Sequence, residues 1–411
     1  MTTTSEPAST DRSAQQRLPL AGIRVLDIAT MAAAPWAAAY LGEFGADVIK
    51  VEQPRIGDPQ RHWGTPKEGT GIFWKSISRN KRSITLNLGK PRGAEIFKRL
   101  VAETDVVIEN FRPGTLERWG IGYDVLRDIN PRLVMLRLTG FGQKGPYSAR
   151  PGFGTLAESL SGFAHLTGQP DGPPTLPNLP LADGLAGVTA SFAIMLALYY
   201  RDARGGSGQM IDLSLCEPLL RLIEPTLLDF DQLGVARGRI GNRSDHVAPR
   251  NTYLCADGRW IAISASAPSI FERLMVAIGR PELRSDPRFS VNAARLAHID
   301  ELEAIINGWI GARGREEVLA ALEQAQVAAA PINDVPDIFA NEHFQARESF
   351  MEITDPDLGT MRLVNVVPRL SETPGRVLTT GPALGQHNQE IYHQLGLEDQ
   401  DLEQLAGEGV I

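Results

Sequence analysis

Cysteine is scarce: the 411 residues include only Cys216 and Cys255. Two thiols cannot build a disulfide framework. Both sit among apolar neighbours (Leu213-Ser214-Leu215-Cys216 and Tyr253-Leu254-Cys255), so they read as buried thiols in a reducing, cytoplasmic compartment. Basic charge is also short. Lys and Arg total 41 against 49 Asp and Glu, for a net charge of −8, which argues against nucleic acid or an anionic membrane as the main partner. The seven histidines are scattered, with no pair at i, i+4 and no H-E-x-x-H or Cys/His ligand spacing, so no metal is expected. A phosphate-binding G-x-x-x-x-G-K-[ST] loop and a G-x-S-x-G nucleophile elbow are both missing, which speaks against P-loop and α/β-hydrolase chemistry. The longest apolar run, Gly184–Tyr200, carries Gly, Thr and Ser inside it. It reads as a helix buried on all sides rather than a membrane span. Residues 1–17 have no apolar core to serve as a secretory signal, and Glu6 and Asp11 disfavour a transit peptide. Their Ser/Thr bias reads as a disordered tail.

Hydrophobic residues make up 43% and charged residues 22%, as in ordinary globular proteins, and the length suits more than one domain. The first half alternates apolar strand-like runs (Ile23–Ile28, Asp47–Val51, Ser83–Leu88, Asp105–Glu109, Leu133–Leu138) with helical stretches near Trp36–Phe44 and Arg92–Glu103. This β-α-β rhythm predicts an α/β fold with a parallel sheet flanked by helices. Met210–Leu213 reads as a further strand of the same sheet. Residues 168–180 carry five prolines and must run extended; an apolar helix then starts abruptly at Asp183. After about residue 225 the character changes. Asn251–Leu254 and Trp260–Ser264 flank Asp257-Gly258, a hairpin signal, and helical patterns follow over Ser269–Ile278, Asp300–Gly311 and Arg315–Gln324. The expected organisation is therefore a tail over 1–17, a large domain over 18–224, a small domain over 225–332 and a return segment over 333–411, with short strands at Met351–Thr354 and Thr360–Val364 and an amphipathic helix near Asn388–Leu397.

Gly140-Phe141-Gly142-Gln143-Lys144-Gly145 matches G-x-G-x-x-G after a strand, but Pro146 and Pro151 prevent a helix from starting there to receive a pyrophosphate. It reads as a glycine-rich turn that could approach a ligand closely. Asn80-Lys81-Arg82-Ser83 puts two cations at one end of a strand, either as a solvated turn or as a phosphate anchor. Glu109-Asn110-Phe111-Arg112-Pro113-Gly114 lies where a strand ends, and ligands of open α/β sheets bind outside the carboxyl ends of strands. Asp183 opens the apolar helix. It can be the N-cap that accepts orphan amide hydrogens. It can also be a carboxylate nucleophile stabilised by the positive helix end, with open space beside Gly184.

Taken together, several segments resemble family III CoA transferases of the CaiB/BaiF type, including formyl-CoA transferase. They are Leu20-Ala21-Gly22-Ile23-Arg24-Val25-Leu26-Asp27, Gly45-Ala46-Asp47-Val48-Ile49-Lys50-Val51-Glu52, Asn80-Lys81-Arg82-Ser83, Glu109 through Gly114, Thr139 through Pro146, Leu181-Ala182-Asp183, and Gly385-Gln386-His387-Asn388 with Glu390-Ile391. The likeness spans about residues 18–411. It implies a Rossmann-like large domain built from both chain ends, a smaller inserted α+β domain, and an interlocked homodimer. It implies that Asp183 attacks an acyl-CoA thioester to give a mixed anhydride, that CoA returns to form an aspartyl-CoA thioester, and that an incoming carboxylic acid then takes over the CoA. The family's CoA contacts fall on Met31, Ala32, Ala33, Leu86, Asn110, Phe111, Arg112, Arg118, and the turn holding Thr139, Gly140 and Lys144. Trp63 falls on an active-site tryptophan of the formyl-CoA branch. The chain departs from the pattern at Gln53, Gly89 and Thr139, where some members carry Arg or Lys; Arg82, Arg55 and Lys144 are the candidates for the missing charge.

The rival within this resemblance is a 2-methylacyl-CoA racemase, which carries a His-Asp pair where this chain has Phe153-Gly154. Racemisation needs two proton-exchanging groups, and Phe153 cannot be one. Coenzyme A is thus the expected cosubstrate, with a small carboxylic acid as partner. Arginines at 55, 61, 243 and 250 motivate a dicarboxylate exchanging with succinyl-CoA, with Arg61 and Trp63 as substrate contacts.

Overall fold

A computed structural model describes residues 17–411, so all of the expected tail except Arg17 lies outside the described residues. The chain divides into two compact units. The first comprises residues up to Phe163, Leu176–Leu227 and Glu348–Ile411, and the second comprises Ala164–Thr175 and Leu228–Arg347.

The first unit is built on six strands: β1 (Arg24–Asp27), β2 (Asp47–Glu52), β3 (Lys81–Thr85), β4 (Val106–Glu109), β5 (Val134–Thr139) and β6 (Met210–Ser214). All pair in parallel, in the order β3-β2-β1-β4-β5-β6. This is a doubly wound arrangement, with its switch point between β1 and β4. Alternate side chains feed two cores, as the two-residue period of a strand requires. Val25, Val48, Val106 and Leu136 enter one core, beneath helices α1 (Ala33–Glu43) and α4 (Leu181–Ala203). Leu26, Ile49, Ile84, Val107 and Met135 enter the other, beneath α2 (Pro91–Val101), the Tyr123–Ile129 helix and the two C-terminal helices. The carboxyl-terminal segment is laced to the edge strand β3. Asn388 Oδ1 accepts from Thr85 N at 2.8 Å, the Tyr392 hydroxyl donates to Thr85 O at 2.6 Å, and His387 Nδ1 accepts from Ser83 N at 3.0 Å. An edge that would otherwise expose unpaired backbone groups is thereby occupied.

Under α1 the first core turns ionic. Lys81 Nζ lies 2.9 Å from Asp27 Oδ2 and donates to Pro35 O of α1 at 2.8 Å. Lys50 Nζ lies 3.6 Å from Asp27 Oδ1 and 3.0 Å from Asp58 Oδ2, and it also donates to Ala29 O. Arg61 clamps Glu52 with two bonds of 2.7 Å, and Ser83 Oγ donates to Glu52 Oε1 at 2.6 Å. Except for Arg61, which is only partly covered, these charged side chains are buried. Burial pushes the Lys81 ammonium below the usual lysine range, against the pull of Asp27. Burial also works against Lys50, but the surrounding carboxylates of Asp27, Asp58 and Glu52 outweigh it and hold that ammonium above its usual range.

The second unit has a three-stranded antiparallel sheet, Ala329–Pro331, Trp260–Ser264 and Arg250–Leu254, with the expected hairpin across Asp257-Gly258. Helices Pro268–Ala277, Ile299–Ile310 and Arg315–Gln324 pack on it around Tyr253, Phe271, Leu302 and Ile306. Its boundaries run beyond the 225–332 expected from the sequence. The reason is ionic: Asp337 of the Val335–Ala340 helix lies 3.2 Å from Arg315 and is paired with Arg259, so the residues after 332 stay with this unit. The proline-rich approach contributes Ala164–Thr175 to the same unit.

Removing one partner of a buried ion pair strands the other charge. Lys81→Met is expected to lower unfolding free energy by about 3–5 kcal/mol, read as a fall in the denaturant midpoint at unchanged m-value.

Candidate active site

α1 and α4 meet through small side chains. Ala33, Ala34, Ala37 and Ala38 of α1 and Ala182, Ala186, Gly187 and Ala190 of α4 are buried in one core. A Cβ on Gly187 would lie 3.0 Å from Ala33 O and 3.1 Å from Trp36 Cβ, so the backbones approach as closely as glycine permits. This contact sets the amino end of α1 against the first turn of α4.

The sequence expects α4 to begin at Asp183, with that residue as a possible N-cap. The helix instead starts at Leu181 after Pro180, and Asp183 is its third residue. Capping is done from outside: Glu158 of α3 (Gly154–Leu160) is buried, and its Oε1 accepts from Ala182 N at 3.1 Å. Gly184 N closes onto Pro180 O at 2.9 Å. The Asp183 carboxylate is left to accept from its own N–H and from Ala33 N–H, the first residue of α1. Two helix amino termini therefore converge on one carboxylate. Burial, and then the negative charge of Glu158, still push it up to about 6, against those two amide bonds. A Cβ on Gly154 would sit 2.2 Å from Asp183 Oδ2, so only glycine leaves that oxygen its position.

The neighbouring loop is held from several sides. Met31, in the left-handed region at φ 67°, donates its N–H to Asp58 Oδ1 at 3.2 Å. Asn110 brackets Thr30: Oδ1 accepts from Thr30 N at 2.9 Å and Nδ2 donates to Thr30 O at 2.7 Å. Ala32 and Ala33 are buried at the start of α1. Met31, Ala32, Ala33 and Asn110 thus share one loop cluster beside Asp183. Leu86 and Phe111 come together along the same loop, lining a cavity of about 120 Å³ with Ile28, Thr30, Asp58 and Trp119. Gln53 and Gly89, two of the positions where a family cation is missing, line the same cavity. Arg112 and Arg118 are exposed beyond the carboxyl end of β4, and among the described residues neither is paired with a carboxylate within 4 Å; Arg118 donates to Thr115 Oγ1 at 3.0 Å. In the Thr139–Lys144 turn, Thr139 is buried at the carboxyl end of β5, and a Cβ on Gly140 would lie 2.5 Å from Gly152 Cα, so two backbones cross there. Lys144 is exposed, and no helix begins in the turn.

Two expected contacts lie elsewhere. Arg82 sits at the amino end of β3, where its guanidinium pairs with Asp47 at 2.6 Å and Glu390 at 2.7 Å, remote from the carboxyl ends of the strands. Arg61 is held by Glu52, donates to Pro382 O at 3.0 Å and stacks 4.0 Å over Trp74. Both are saturated by protein groups, which a linear sequence does not reveal. Trp63 is exposed and meets Phe73 edge-on at 5.3 Å; Phe73 meets Trp36 at 5.7 Å, and Trp36 reaches within 3.9 Å of where a Cβ on Gly184 would lie. An aromatic ladder thus runs from Trp63 to the turn holding Asp183. Phe73, Trp36 and Glu158 were not singled out from the sequence. Trp36, one helical turn after Ala33, was within reach of periodicity; Glu158 carried no signal. Phe153 is 61% exposed and Gly154 has no side chain, so neither offers the second proton-exchanging group of a racemase.

Residues 20–388 match the model of CoA-transferase family III. The chain is 46% identical over 399 residues to the succinyl-CoA–L-malate CoA-transferase beta subunit of Chloroflexus aurantiacus, covering 96% of this chain and 98% of that one. It is 44% identical to the succinyl-CoA–D-citramalate CoA-transferase of the same organism, covering 96% and 98%. It is 34% identical to the succinate–glutarate CoA-transferase of Agrobacterium fabrum, covering 92% and 96%. Among solved structures, a CaiB/BaiF family protein from Brucella suis superposes with a TM-score of 0.81 at 35% identity, covering 92% of this chain and all of the other.

A carboxyl group whose pKa is raised in the folded state stabilises the fold fully only below its unfolded value, and that contribution is lost as pH rises through the folded value. Asp183→Asn removes the penalised anion. It is expected to be more stable than the parent above pH 7, by about 3 kcal/mol, and the difference should vanish below about pH 4. Paired urea titrations across pH check this.

Proposed function

The chain belongs to CoA-transferase family III, and from that premise we propose that it moves CoA from succinyl-CoA to a small dicarboxylic acid through covalent intermediates on Asp183. The CoA-transferase activity follows from the family and from relatives that are CoA transferases along nearly their whole length. The choice of succinyl-CoA and a dicarboxylate is an inference from the names of those relatives, which act on malate, citramalate and glutarate.

The observation that carries the role of Asp183 is the division of labour around it. Glu158 caps the helix, Ala33 N–H orients the carboxylate, and Gly154 leaves it room. At neutral pH a carboxyl group titrating near 6 is mostly ionised, yet it is more basic than an ordinary aspartate and hence a better nucleophile. Its attack on the thioester carbonyl forms a mixed anhydride and releases the CoA thiolate. The thiolate then attacks the aspartyl carbonyl and frees the first acid, and the second acid reverses the sequence. Covalent storage keeps the thioester's free energy from being lost to water, provided the site stays dry. The loop from Met31 to Ala33 and the exposed Arg112 and Arg118 are the contacts proposed for the pantetheine arm and phosphates of CoA, with Lys144 at the mouth of the neighbouring turn. Arginine matches phosphate geometry with two parallel donors. The Leu86–Phe111 cavity, apolar along one wall, is assigned to the less polar end of the same ligand.

The protein is further proposed to work as a homodimer in the cytoplasm. The apolar face of α4 supports the dimer. Contrary to the expectation of a helix buried on all sides, Val188, Phe192, Leu196 and Tyr199 stand open, Phe192 to 64%. The helix is long and apolar enough to cross a membrane by composition, but its opposite face is packed against α1 and the sheet, so a second subunit is the better cover.

Two measurements test the reading. Purified protein mixed with succinyl-CoA and a panel of malate, citramalate, glutarate and monocarboxylates should yield new acyl-CoA species, with dicarboxylates preferred. Asp183→Ala should lower exchange by a factor on the order of 10³ or more while CoA still binds in calorimetry; no exchange with any acid would refute the assignment. Light scattering should report twice the chain mass of 44.7 kDa, and a monomer at micromolar concentration would refute the dimer.

A further inference from the structure

Resting on the covalent reading above, we propose that Glu158 is an electrostatic positioning residue: its buried carboxylate both fixes the first turn of α4 and drives Asp183 toward its neutral, acylated states, so that the resting enzyme retains CoA as an aspartyl thioester.

Glu158 is only 3% exposed. Its polar contact is the Ala182 N–H at 3.1 Å, and among the described residues no Lys, Arg or His lies within 4 Å to neutralise it. A buried carboxylate beside the nucleophile, with no cation in reach, is costly. A neutral cap such as Ser or Asn would hold the same amide more cheaply. The cost has a counterpart in the chemistry. The groups facing Asp183 among the described residues are few: Ala33 N–H from α1, Glu158 and Gly154 from α3, and its own helix. Charged groups on the other packed elements are engaged elsewhere. Arg137 of β5 pairs with Glu109 and Glu117, Asp212 of β6 accepts from Gln143 N, Glu217 of the following helix bonds Ser214, and Arg201 of α4 pairs with Asp105 and Asp202. Among the described residues Glu158 is thus the one full charge that acts on Asp183.

Acylation removes the charge of Asp183 just as protonation does. Whatever penalises the anion therefore favours the anhydride and the thioester along with the acid form. In the first step a bond forms between an Asp183 oxygen and the acyl carbon, the C–S bond breaks, and the electron pair leaves on the CoA sulfur. In the second step the thiolate faces two carbonyls. Attack at Asp183 Cγ forms the new C–S bond and expels the substrate's carboxylate; attack at the substrate carbonyl expels Asp183. The weaker base leaves more readily. A simple carboxylic acid ionises at about 4.3, below the value of about 6 at Asp183, so the anhydride partitions toward aspartyl-CoA. The same balance lets the enzyme release the first acid and wait, loaded, for the second.

Glu158→Gln keeps the shape and the amide-accepting oxygen but removes the charge. With succinyl-CoA present, intact-mass spectrometry should show the aspartyl-CoA adduct in the parent and a lower fraction in the variant. The acid limb of kcat/KM should move to lower pH by about half a unit or more, equivalent to about threefold in occupancy. Glu158→Met, also uncharged, should shift both readouts the same way, and Glu158→Asp, which keeps the charge, should leave the acid limb in place. Adduct fraction and acid limb both unchanged in a folded, active Glu158→Gln protein would overturn the proposal and leave Glu158 as a cap alone. Failure of both neutral variants to fold would also overturn it, since the charge would then be a requirement of the fold rather than a device acting on Asp183. Absence of any adduct or exchange in the parent would instead refute the covalent reading beneath it.

Discussion

The close packing of α1 on α4 is the constraint on which the site depends. Apart from Trp36, which lies over Gly184 and Gly187, the buried residues that the two helices bring together over Ala33–Ala38 and Ala182–Ala190 are alanines and glycine. Small residues let the backbones approach, and that approach alone places Ala33 N–H on the Asp183 carboxylate. A larger residue at Gly187 would meet Ala33 O at 3.0 Å and pry the two amino termini apart. Overpacking of this kind costs about 1–3 kcal/mol in stability; here it would also move the oxygen proposed to react. Packing and chemistry are the same contact.

The buried ionic layer under α1 extends this precision to the loop between β1 and α1. Asp27, Lys50, Lys81 and Asp58 are buried, Lys50 and Asp58 along the wall of the Leu86–Phe111 cavity, and each ends on backbone of the loop or of α1. Asp27 takes Ala29 N, Lys50 and Lys81 hold the carbonyls of Ala29 and Pro35, and Asp58 takes Met31 N. An apolar core would pack as well and stabilise more, because buried ion pairs rarely recover their desolvation cost. Charged groups instead impose direction, and direction is what a loop with Met31 in the left-handed region needs to keep one conformation.

Much of this was legible in advance, and the exceptions share a cause. Five of the six parallel strands and the hairpin appear where period and turn residues put them, because those signals are local; β3 starts at Lys81 instead of Ser83 and ends at Thr85, so both cations lie in the strand. Asp183 was recognisable by its place before a long apolar helix and by the company of distant motifs. What the sequence hid is partnership. Arg61 and Arg82 look like free cations in the chain, and only the fold shows them spent on Glu52, Asp47 and Glu390. Asp183 looks like a cap, and only the fold shows Glu158, which lies 25 positions earlier, taking that duty. The open face of α4 escaped for the complementary reason: hydropathy reports how apolar a helix is, but not whether its own chain supplies both covers.

These features together explain why the proposed nucleophile sits where the fold gains least from it. An ordinary surface aspartate would ionise freely and be a weak base. Placing it behind Gly154 and beside a carboxylate that no cation among the described residues pairs with makes the ionised form expensive. The two helix termini return part of that cost through Ala33 N–H and the first turn of α4. Had the dipoles acted alone, the carboxylate would be stable, acidic and a good leaving group, and CoA would fall back to its donor. Had burial acted alone, it would be protonated and inert at neutral pH. A value near 6 lies between these failures, basic enough to hold an acyl group and acidic enough to attack one.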